Sequence, residues 1–203
     1  MLNELTNFAD PKGIIGECAM FERSNVTEIV DFSEYSIKNL DKTAENVVKL
    51  LEQKHETIAT AESCTGGILS AYLTSVDGAS AVFECGLCTY ANRIKEMLLH
   101  VSHDTLQKYG AVSVQTAIAM TQGIRELTDA DLCVSVTGLA GPQGGTPEKP
   151  VGTVYVGFCY HGKQTVYLLK LWNANGHGRS FNRQMTAAFV MSTAEKILME
   201  ERS

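Results

Sequence analysis

Apolar residues recur along this chain in two periods, which together predict a succession of helices and strands. Leucine, alanine and valine return every three or four positions between Leu40 and Leu51, so an amphipathic helix is predicted over residues 41–53. The same reasoning predicts further helices over residues 66–75, 92–99, 113–127 and 179–199, with Ser113 as the N-cap of the fourth helix. Shorter apolar runs predict strands over residues 57–61, 81–90, 132–136, 153–160 and 164–171.

The order of these elements predicts the fold class. The last two strands flank the short turn His161-Gly162-Lys163, which favours an antiparallel hairpin. The other strands alternate with helices, as in α/β domains, where helices cover both faces of a sheet. We therefore predict an α/β protein, a three-layer α/β/α sandwich with a mixed sheet.

The predicted elements occupy one domain, residues 39–203, preceded by an N-terminal arm or extension, residues 1–38. Periodicity is weak in the arm, and Pro11, Gly13 and Gly16 interrupt any long element there. We expect the arm to pack against the body of the protein or against a neighbouring subunit.

Composition excludes two classes of partner. The 203-residue chain has a formal net charge of −6 and no run of lysine or arginine, so phosphate backbones would repel it and no nucleic acid is expected as a partner. No apolar stretch is long enough to span a bilayer, so no membrane is expected either. Six cysteines without a signal peptide indicate a reducing compartment, the cytoplasm, in which the thiols are mostly buried.

Two of the cysteines, Cys85 and Cys88, have the spacing of redox or metal motifs. Both lie in the strand predicted over residues 81–90, where side chains three positions apart face opposite sides of the sheet. That arrangement opposes both a disulfide and metal chelation, so a structural role is expected. His100 and His103 have no matching ligand pair and are expected at a surface or helix end.

Candidate chemistry is concentrated in residues 60–67, which read Thr-Ala-Glu-Ser-Cys-Thr-Gly-Gly. Ser63 falls at a strand-to-helix turn, where its hydroxyl and the amides of Cys64, Thr65 and Gly66 are expected to face one crevice and to hold an oxyanion or an anionic ligand group. Gly66 and Gly67 either let a ligand approach the backbone or pack the helix tightly on the strand. A purely structural alternative is that Ser63 caps the helix.

A serine hydroxyl needs a base, and Lys95 follows the next predicted strand. A neutral lysine amine accepts the serine proton if burial lowers its pKa, so the two residues are the parts of a serine–lysine dyad. Cys64 is the rival nucleophile, since thiolates are intrinsically better, although no histidine lies nearby in sequence. The glycine- and proline-rich loop that begins at Gly138 lacks the ending of a nucleotide P-loop and is interpreted as a wall of the site or a subunit contact.

Four segments together resemble the C-terminal domain of the competence-damage-inducible protein CinA, a family that includes bacterial nicotinamide-nucleotide amidases. They are residues 61–67, 89–92 (Thr-Tyr-Ala-Asn), 110–113 (Gly-Ala-Val-Ser) and the long run 134–155. The resemblance covers residues 47–198 and implies the same α/β/α architecture and homo-oligomers. Full-length CinA proteins carry a larger N-terminal domain that this chain lacks, so it resembles the stand-alone form.

The resemblance implies a role for each matching residue. Ser63 matches the nucleophile, Lys95 the general base, and Tyr90 a residue that assists by hydrogen bonding. Thr137, in the Val-Thr-Gly motif, matches a hydrogen-bonding partner in the site. Structural alternatives remain for each: Tyr90 as a core aromatic, Lys95 as a solvated helix residue, and Thr137 as a packing residue at a strand end.

An arginine after the last strand is expected to bind the substrate phosphate with two hydrogen bonds. Family members usually show Gly-Asp-Arg there, whereas residues 173–179 of this chain are longer and lack the aspartate. Arg179 is favoured, and Arg183 remains an alternative.

The implied reaction is hydrolysis of the carboxamide of nicotinamide mononucleotide to nicotinic acid mononucleotide and ammonia through an acyl-enzyme, with no metal and no cofactor. Two alternatives stay open. One is a catalytically inactive nucleotide-binding or regulatory homologue, which the departure near Arg179 favours. The other is an amidase for another small amide, because no residue of the sequence identifies how a ribose is recognised.

Overall fold

The computed structural model describes residues 26–200, which form six strands and six α-helices. The strands are β1 (Val26–Ile29), β2 (Ile58–Glu62), β3 (Phe83–Cys88), β4 (Leu132–Gly138), β5 (Thr153–Tyr160) and β6 (Lys163–Lys170). The helices are α1 (Leu40–Lys54), α2 (Ile68–Thr74), α3 (Asn92–Leu99), α4 (His103–Tyr109), α5 (Val114–Thr128) and α6 (Arg179–Glu200).

The six strands form one mixed sheet in the order β1-β6-β5-β4-β2-β3. Toward one edge, β2 pairs in parallel with both β3 and β4, while β4, β5 and β6 pair antiparallel. The predicted hairpin is confirmed, since β5 and β6 are joined by the two residues His161 and Gly162. β1 adds a parallel edge strand beside β6.

Helices cover both faces of the sheet, which confirms the predicted three-layer α/β/α sandwich. α1, α2 and α6 contact one another on one face, and α3, α4 and α5 form the layer on the other. The larger apolar core lies under the first layer and includes Phe158 and Phe189, both almost fully buried. In the second layer α3 and α5 approach closely at Gly123, where an added Cβ would lie 2.1 Å from the Leu99 carbonyl oxygen.

Every predicted element occurs within two residues of its predicted bounds, and the two-residue differences lie around the candidate site. The helix predicted over 66–75 begins only at Ile68, because Gly66 and Gly67 have left-handed backbone angles, with φ of 61° and 93°. The strand predicted over 81–90 spans only Phe83–Cys88, which leaves Tyr90 in a loop. Helix α4 was not predicted. Ser113 caps α5 as expected, accepting a hydrogen bond from the Thr116 amide.

Part of the predicted arm packs against the body of the protein. Val26–Ile29 pairs with β6, and Phe32 and Tyr35 are buried in the larger core, where the Tyr35 and Phe189 rings lie 5.1 Å apart. Residues 1–25 of the arm lie outside the described residues, as does Cys18.

Candidate active site

Three neighbouring parallel strands, β4, β2 and β3, bring three motifs to the same end of the sheet. Ser63 follows β2 directly, Tyr90 lies two residues beyond β3, and Thr137 is the penultimate residue of β4. Because β3, β2 and β4 are parallel neighbours, their carboxyl ends meet at the same edge of the sheet, which is where ligand sites of open α/β sheets form. Helix α3 then returns from this edge and carries Lys95.

Lys95 contacts Ser63 in the interior of the protein. The Lys95 Nζ lies 3.1 Å from the Ser63 Oγ, 2.6 Å from the Thr89 carbonyl oxygen and 3.4 Å from the Tyr90 carbonyl oxygen. A neutral amine has two N–H donors and one lone pair. Since the two carbonyls can only accept, they take the two N–H groups and leave the lone pair for the Ser63 hydroxyl.

Burial favours the neutral form of this lysine. The Lys95 side chain is fully buried, and burial lowers its pKa from 10.5 to about 8. At a pKa near 8, ~10% of the amine is neutral at pH 7, against ~0.03% for an exposed lysine. A partly neutral amine therefore lies within hydrogen-bonding distance of the Ser63 hydroxyl.

Glu62 organises the turn that carries Ser63, a role the sequence did not identify. Its fully buried carboxylate accepts hydrogen bonds from the amides of Gly67, Leu69 and Ser70, at 2.9, 3.2 and 2.9 Å, and from the Ser70 hydroxyl at 2.8 Å. These amides belong to the first turn of α2, where helices leave donors unsatisfied and favour negative charge. The available signal was a glutamate at the end of a strand just ahead of a predicted helix.

Three turn amides were predicted to hold an oxyanion. Two of them donate no hydrogen bond to another residue, and the third is already hydrogen bonded within the turn. The Gly66 amide donates to the Ser63 carbonyl at 3.1 Å, so it is committed within the turn. The Cys64 and Thr65 amides donate no hydrogen bond to any other residue among 26–200. They remain as candidate donors to a developing oxyanion.

A pocket of about 230 Å³ opens over the dyad. Its walls come from the Ser63 turn, the loop after β3, the segment before α5, the loop after β4 and the start of α6: Ser63, Cys64, Tyr90, Lys95, Ala111, Val112, Thr137, Gly138, Leu139, Ala140, Gly141, Gln143 and Arg179. Thr65, Gly66 and Gly67, predicted to bind substrate, lie outside these walls. Gly66 faces Arg183 and Gly67 faces the Cys88 sulfur, so both glycines serve tight packing in a left-handed turn.

Thr137 and Gly138 lie in the pocket wall for different reasons. The buried Thr137 hydroxyl donates to the Ala111 carbonyl at 2.6 Å, which ties β4 to the segment ahead of α5. An added Cβ at Gly138 would lie 2.7 Å from the Thr153 carbonyl oxygen, so this position admits only glycine without movement of β5.

Tyr90 and Arg179 form the rim of the pocket. Tyr90 is 63% exposed, and its hydroxyl accepts a hydrogen bond from Arg179 Nη2 at 3.2 Å. Arg179 Nη1 donates to the Gly141 carbonyl at 3.0 Å. The Tyr90 side chain is therefore neither a core aromatic nor hydrogen bonded to the dyad; its phenol faces the rim arginine.

The two arginines that the sequence left as alternatives occupy different places. Arg179 lines the pocket, and Arg183 does not. Arg183 donates from Nε and Nη2 to the Thr65 carbonyl at 3.1 and 2.7 Å. Only Arg179 is placed to meet a ligand in the pocket.

Cys64 is poorly suited to replace Ser63 as the nucleophile. Its thiol is 6% exposed, and burial raises its pKa to about 12, so the reactive thiolate is scarce at neutral pH. The five cysteines within residues 26–200 are free thiols. In β3, exposed and half-buried residues alternate, so Cys85 and Cys88 face opposite sides of the strand as expected.

The described residues hold no group of three or more histidine, cysteine, aspartate or glutamate side chains arranged to bind a metal ion. Nor does any helix among them have the length and apolar character needed to cross a bilayer.

A mixed sheet between two helical layers, with a serine and a buried lysine in contact at the carboxyl ends of its parallel strands, defines a three-layer α/β protein with a serine–lysine pocket. The comparisons with known proteins agree on one family. Residues 40–198 match the model of the CinA C-terminal domain. A CinA-like protein of Thermotoga neapolitana is 45% identical over 162 residues, 80% of this chain and 38% of that protein.

Solved structures match over the same region. A competence/damage inducible protein, CihA, from Agrobacterium tumefaciens aligns with a TM-score of 0.73 and 34% identity over 81% of this chain and 96% of that chain. A competence-damaged protein (CinA) superfamily protein from Klebsiella pneumoniae aligns with a TM-score of 0.74 and 28% identity over 80% and 99%. The chain belongs to the CinA C-terminal domain family. It spans less than two fifths of the curated relative from Thermotoga neapolitana.

Proposed function

We propose that this protein is an amidase that hydrolyses the carboxamide of nicotinamide mononucleotide to nicotinic acid mononucleotide and ammonia. The observation that carries the proposal is the contact between Lys95 and Ser63: a fully buried amine, with its pKa lowered to about 8, lies 3.1 Å from a serine hydroxyl in a pocket. A serine hydroxyl with such a base is the apparatus of nucleophilic acyl transfer.

Acylation begins when the neutral Lys95 amine accepts the Ser63 proton as Oγ attacks the carboxamide carbon. The carbonyl oxygen becomes an oxyanion, for which the Cys64 and Thr65 amides are the free donors in the turn. Collapse of the tetrahedral intermediate breaks the carbon–nitrogen bond. The departing amide nitrogen takes the proton held by Lys95 and leaves as ammonia, which restores the neutral base.

Deacylation repeats these steps with water. Lys95 accepts a proton from a water molecule, which attacks the Ser63 ester carbon, and the oxyanion again meets the turn amides. When the ester bond breaks, Ser63 Oγ recovers its proton from Lys95 and the carboxylic acid product leaves. The balanced reaction consumes one water and releases one ammonia.

The pocket supports a small substrate with an anionic end. Its volume of about 230 Å³ excludes a folded protein or a nucleic acid helix from the dyad. The wall beside the dyad carries small apolar side chains, Ala111 and Val112, which suit the face of a pyridine ring. Arg179, at the rim, is positioned to exchange its Tyr90 and Gly141 contacts for a phosphate.

The test is release of ammonia and nicotinic acid mononucleotide from nicotinamide mononucleotide, measured for the purified chain beside Ser63→Ala and Lys95→Met. Exposed Ser75→Ala and Lys163→Met are the matched controls. Turnover in the wild type and both controls, lost by at least 10³-fold in the two site variants, is expected for a nucleophile and its base. If the protein binds the nucleotide without turnover, the proposed amidase is wrong and a nucleotide-binding function is supported. If it hydrolyses only other carboxamides, the proposed substrate is wrong.

Assembly into homo-oligomers belongs to the same proposal, and sedimentation equilibrium of the purified protein measures it.

A further inference from the structure

The first turns of α6 present three polar side chains on one face of the helix: two hold the loop after β4, and the third holds the turn that carries Ser63. Asn182 and Arg183 follow Arg179 by three and four residues, so all three side chains lie on the same side of the helix. Arg179 donates to the Gly141 carbonyl, and the buried Asn182 side chain donates to the Ala140 carbonyl at 3.0 Å. Arg183 instead reaches the turn that carries the nucleophile.

Arg183 holds that turn through one carbonyl. Its Nε and Nη2 both donate to the Thr65 oxygen, at 3.1 and 2.7 Å, which makes these charge-assisted hydrogen bonds. The guanidinium also lies against the turn, since an added Cβ on Gly66 would come within 3.2 Å of Nη2. Among residues 26–200 no other group donates to this carbonyl.

The peptide unit between Thr65 and Gly66 is therefore held at both ends. Its carbonyl accepts from Arg183, and its N–H donates to the Ser63 carbonyl at 3.1 Å. The Ser63 amide in turn donates to the Val136 carbonyl of β4 at 2.9 Å. Rotation of this peptide unit would break its hydrogen bonds to Arg183 and to the Ser63 carbonyl, and so loosen the turn that carries Ser63.

We infer that Arg183 is a positioning residue that keeps the Ser63 hydroxyl against the Lys95 amine by holding the Thr65–Gly66 peptide unit. It acts through the turn and does not touch the substrate. The inference rests on the proposed function only in taking Ser63 as the nucleophile; it does not depend on which amide the protein hydrolyses.

The experiment measures the nucleophile directly, with a probe that carries no nucleotide. An alkyl ethoxyfluorophosphonate forms an Oγ–phosphorus bond as fluoride leaves, and intact mass reports the rate of labelling. The second-order rate is measured from pH 6 to pH 10 for the wild type, Arg183→Gln and Arg183→Lys. Ser63→Ala is the blank, and Arg93→Gln, an exposed arginine on α3, is the matched control. Thermal unfolding of each variant is recorded alongside.

Arg183→Gln is expected to lower the labelling rate at least tenfold, and Arg183→Lys to recover part of the loss, because an ammonium can still donate to the Thr65 carbonyl. The pH midpoint of labelling is expected to stay in place, since Lys95 keeps its burial. An unchanged labelling rate in folded Arg183→Gln would overturn the inference. A pH midpoint of labelling that moves in Arg183→Gln and returns in Arg183→Lys would also overturn it, because Arg183 would then act through its charge.

The same data separate this inference from the proposed function. Wild-type protein that is labelled at Ser63 but does not hydrolyse nicotinamide mononucleotide would count against the proposed substrate alone. If wild-type Ser63 is labelled no faster than a surface serine, Ser63 is not an activated nucleophile. Both the dyad and the role of Arg183 would then be wrong.

Discussion

Replacing Lys95 with methionine should stabilise the fold more at neutral pH than at alkaline pH. Methionine fills a similar volume without the charge. The pKa of the folded-state lysine is about 8 because burial disfavours the ammonium, whereas the unfolded chain returns it to about 10.5. Below pH 8 the buried Lys95 ammonium therefore destabilises the folded wild-type protein to its full extent.

The size and sign follow from proton linkage. A lowering of the pKa from 10.5 to about 8 corresponds to about 3 kcal/mol of destabilisation at neutral pH. Between pH 8 and pH 10.5 the unfolded state binds the extra proton, so the stability of the wild type rises with pH. Relative to Lys95→Met, the wild type should gain about 2 to 3 kcal/mol in free energy of unfolding between pH 7 and pH 10.

Urea unfolding at pH 7, 8, 9 and 10 measures this difference. Comparing the two proteins at each pH cancels the titration of all other groups. Methionine also removes the donor to the Thr89 carbonyl, which lowers the stability of the variant by a similar amount at every pH and leaves the slope intact. Lys163→Met, at an exposed position, is the matched control and should show no slope.

Parallel stability curves for wild type and Lys95→Met would refute the reasoning. They would mean that Lys95 keeps the pKa of an exposed lysine in the folded protein. It would then be almost fully protonated at neutral pH and unable to accept the Ser63 proton.

Four further predictions follow from the geometry. The rate of Ser63 acylation should rise about tenfold per pH unit below pH 8 and level off above it, because only neutral Lys95 is a base; a midpoint above pH 10 contradicts this. Arg179→Gln should raise KM for nicotinamide mononucleotide about tenfold or more, with a smaller change in kcat, as for loss of a charged hydrogen bond; steady-state kinetics with an unchanged KM would show that the phosphate lies elsewhere. Glu62→Gln should destabilise the fold by about 3 kcal/mol in urea unfolding, because an amide cannot accept from all four donors; an unchanged midpoint would mean the carboxylate does not hold α2. Gly123→Ala should cost about 1 to 3 kcal/mol, because its Cβ would overlap the Leu99 carbonyl; a melting temperature equal to wild type would contradict the close packing of α3 on α5.

The sheet and its layers could be predicted because their signals are local and repeated. Helix α1 shows apolar residues at helical spacing, and all five of its buried residues are ones that the pattern identified. The β5–β6 hairpin has two runs rich in apolar and β-branched residues around a glycine turn. Edge strand β1 was missed because two exposed residues between two half-buried ones carry no periodic signal, and its pairing with β6 spans more than 130 positions of sequence.

For the candidate site, the sequence indicated which residues to consider, but it indicated less well which contacts each of them makes. The Ser63 and Lys95 pair follows from two motifs, but their contact depends on α3 folding back from the sheet edge, which no local pattern encodes. Tyr90 was expected beside the dyad, and its backbone is there, since its carbonyl accepts from Lys95. Its hydroxyl instead contacts Arg179 at the rim of the same pocket, a contact between residues 89 positions apart that no local pattern encodes.

The site concentrates groups that weaken the fold, and its surroundings offset them. Besides the buried Lys95, the hydroxyls of Thr65 and Thr89 are buried and have no hydrogen-bond partner among the protein groups of residues 26–200. Both threonines flank the dyad along the chain, next to the turn and the strand end that present it. Glu62, with four hydrogen bonds, and Arg183, with two, stabilise the same turn. Since neither side chain lines the pocket, the geometry of the Ser63 turn depends on residues outside the pocket wall.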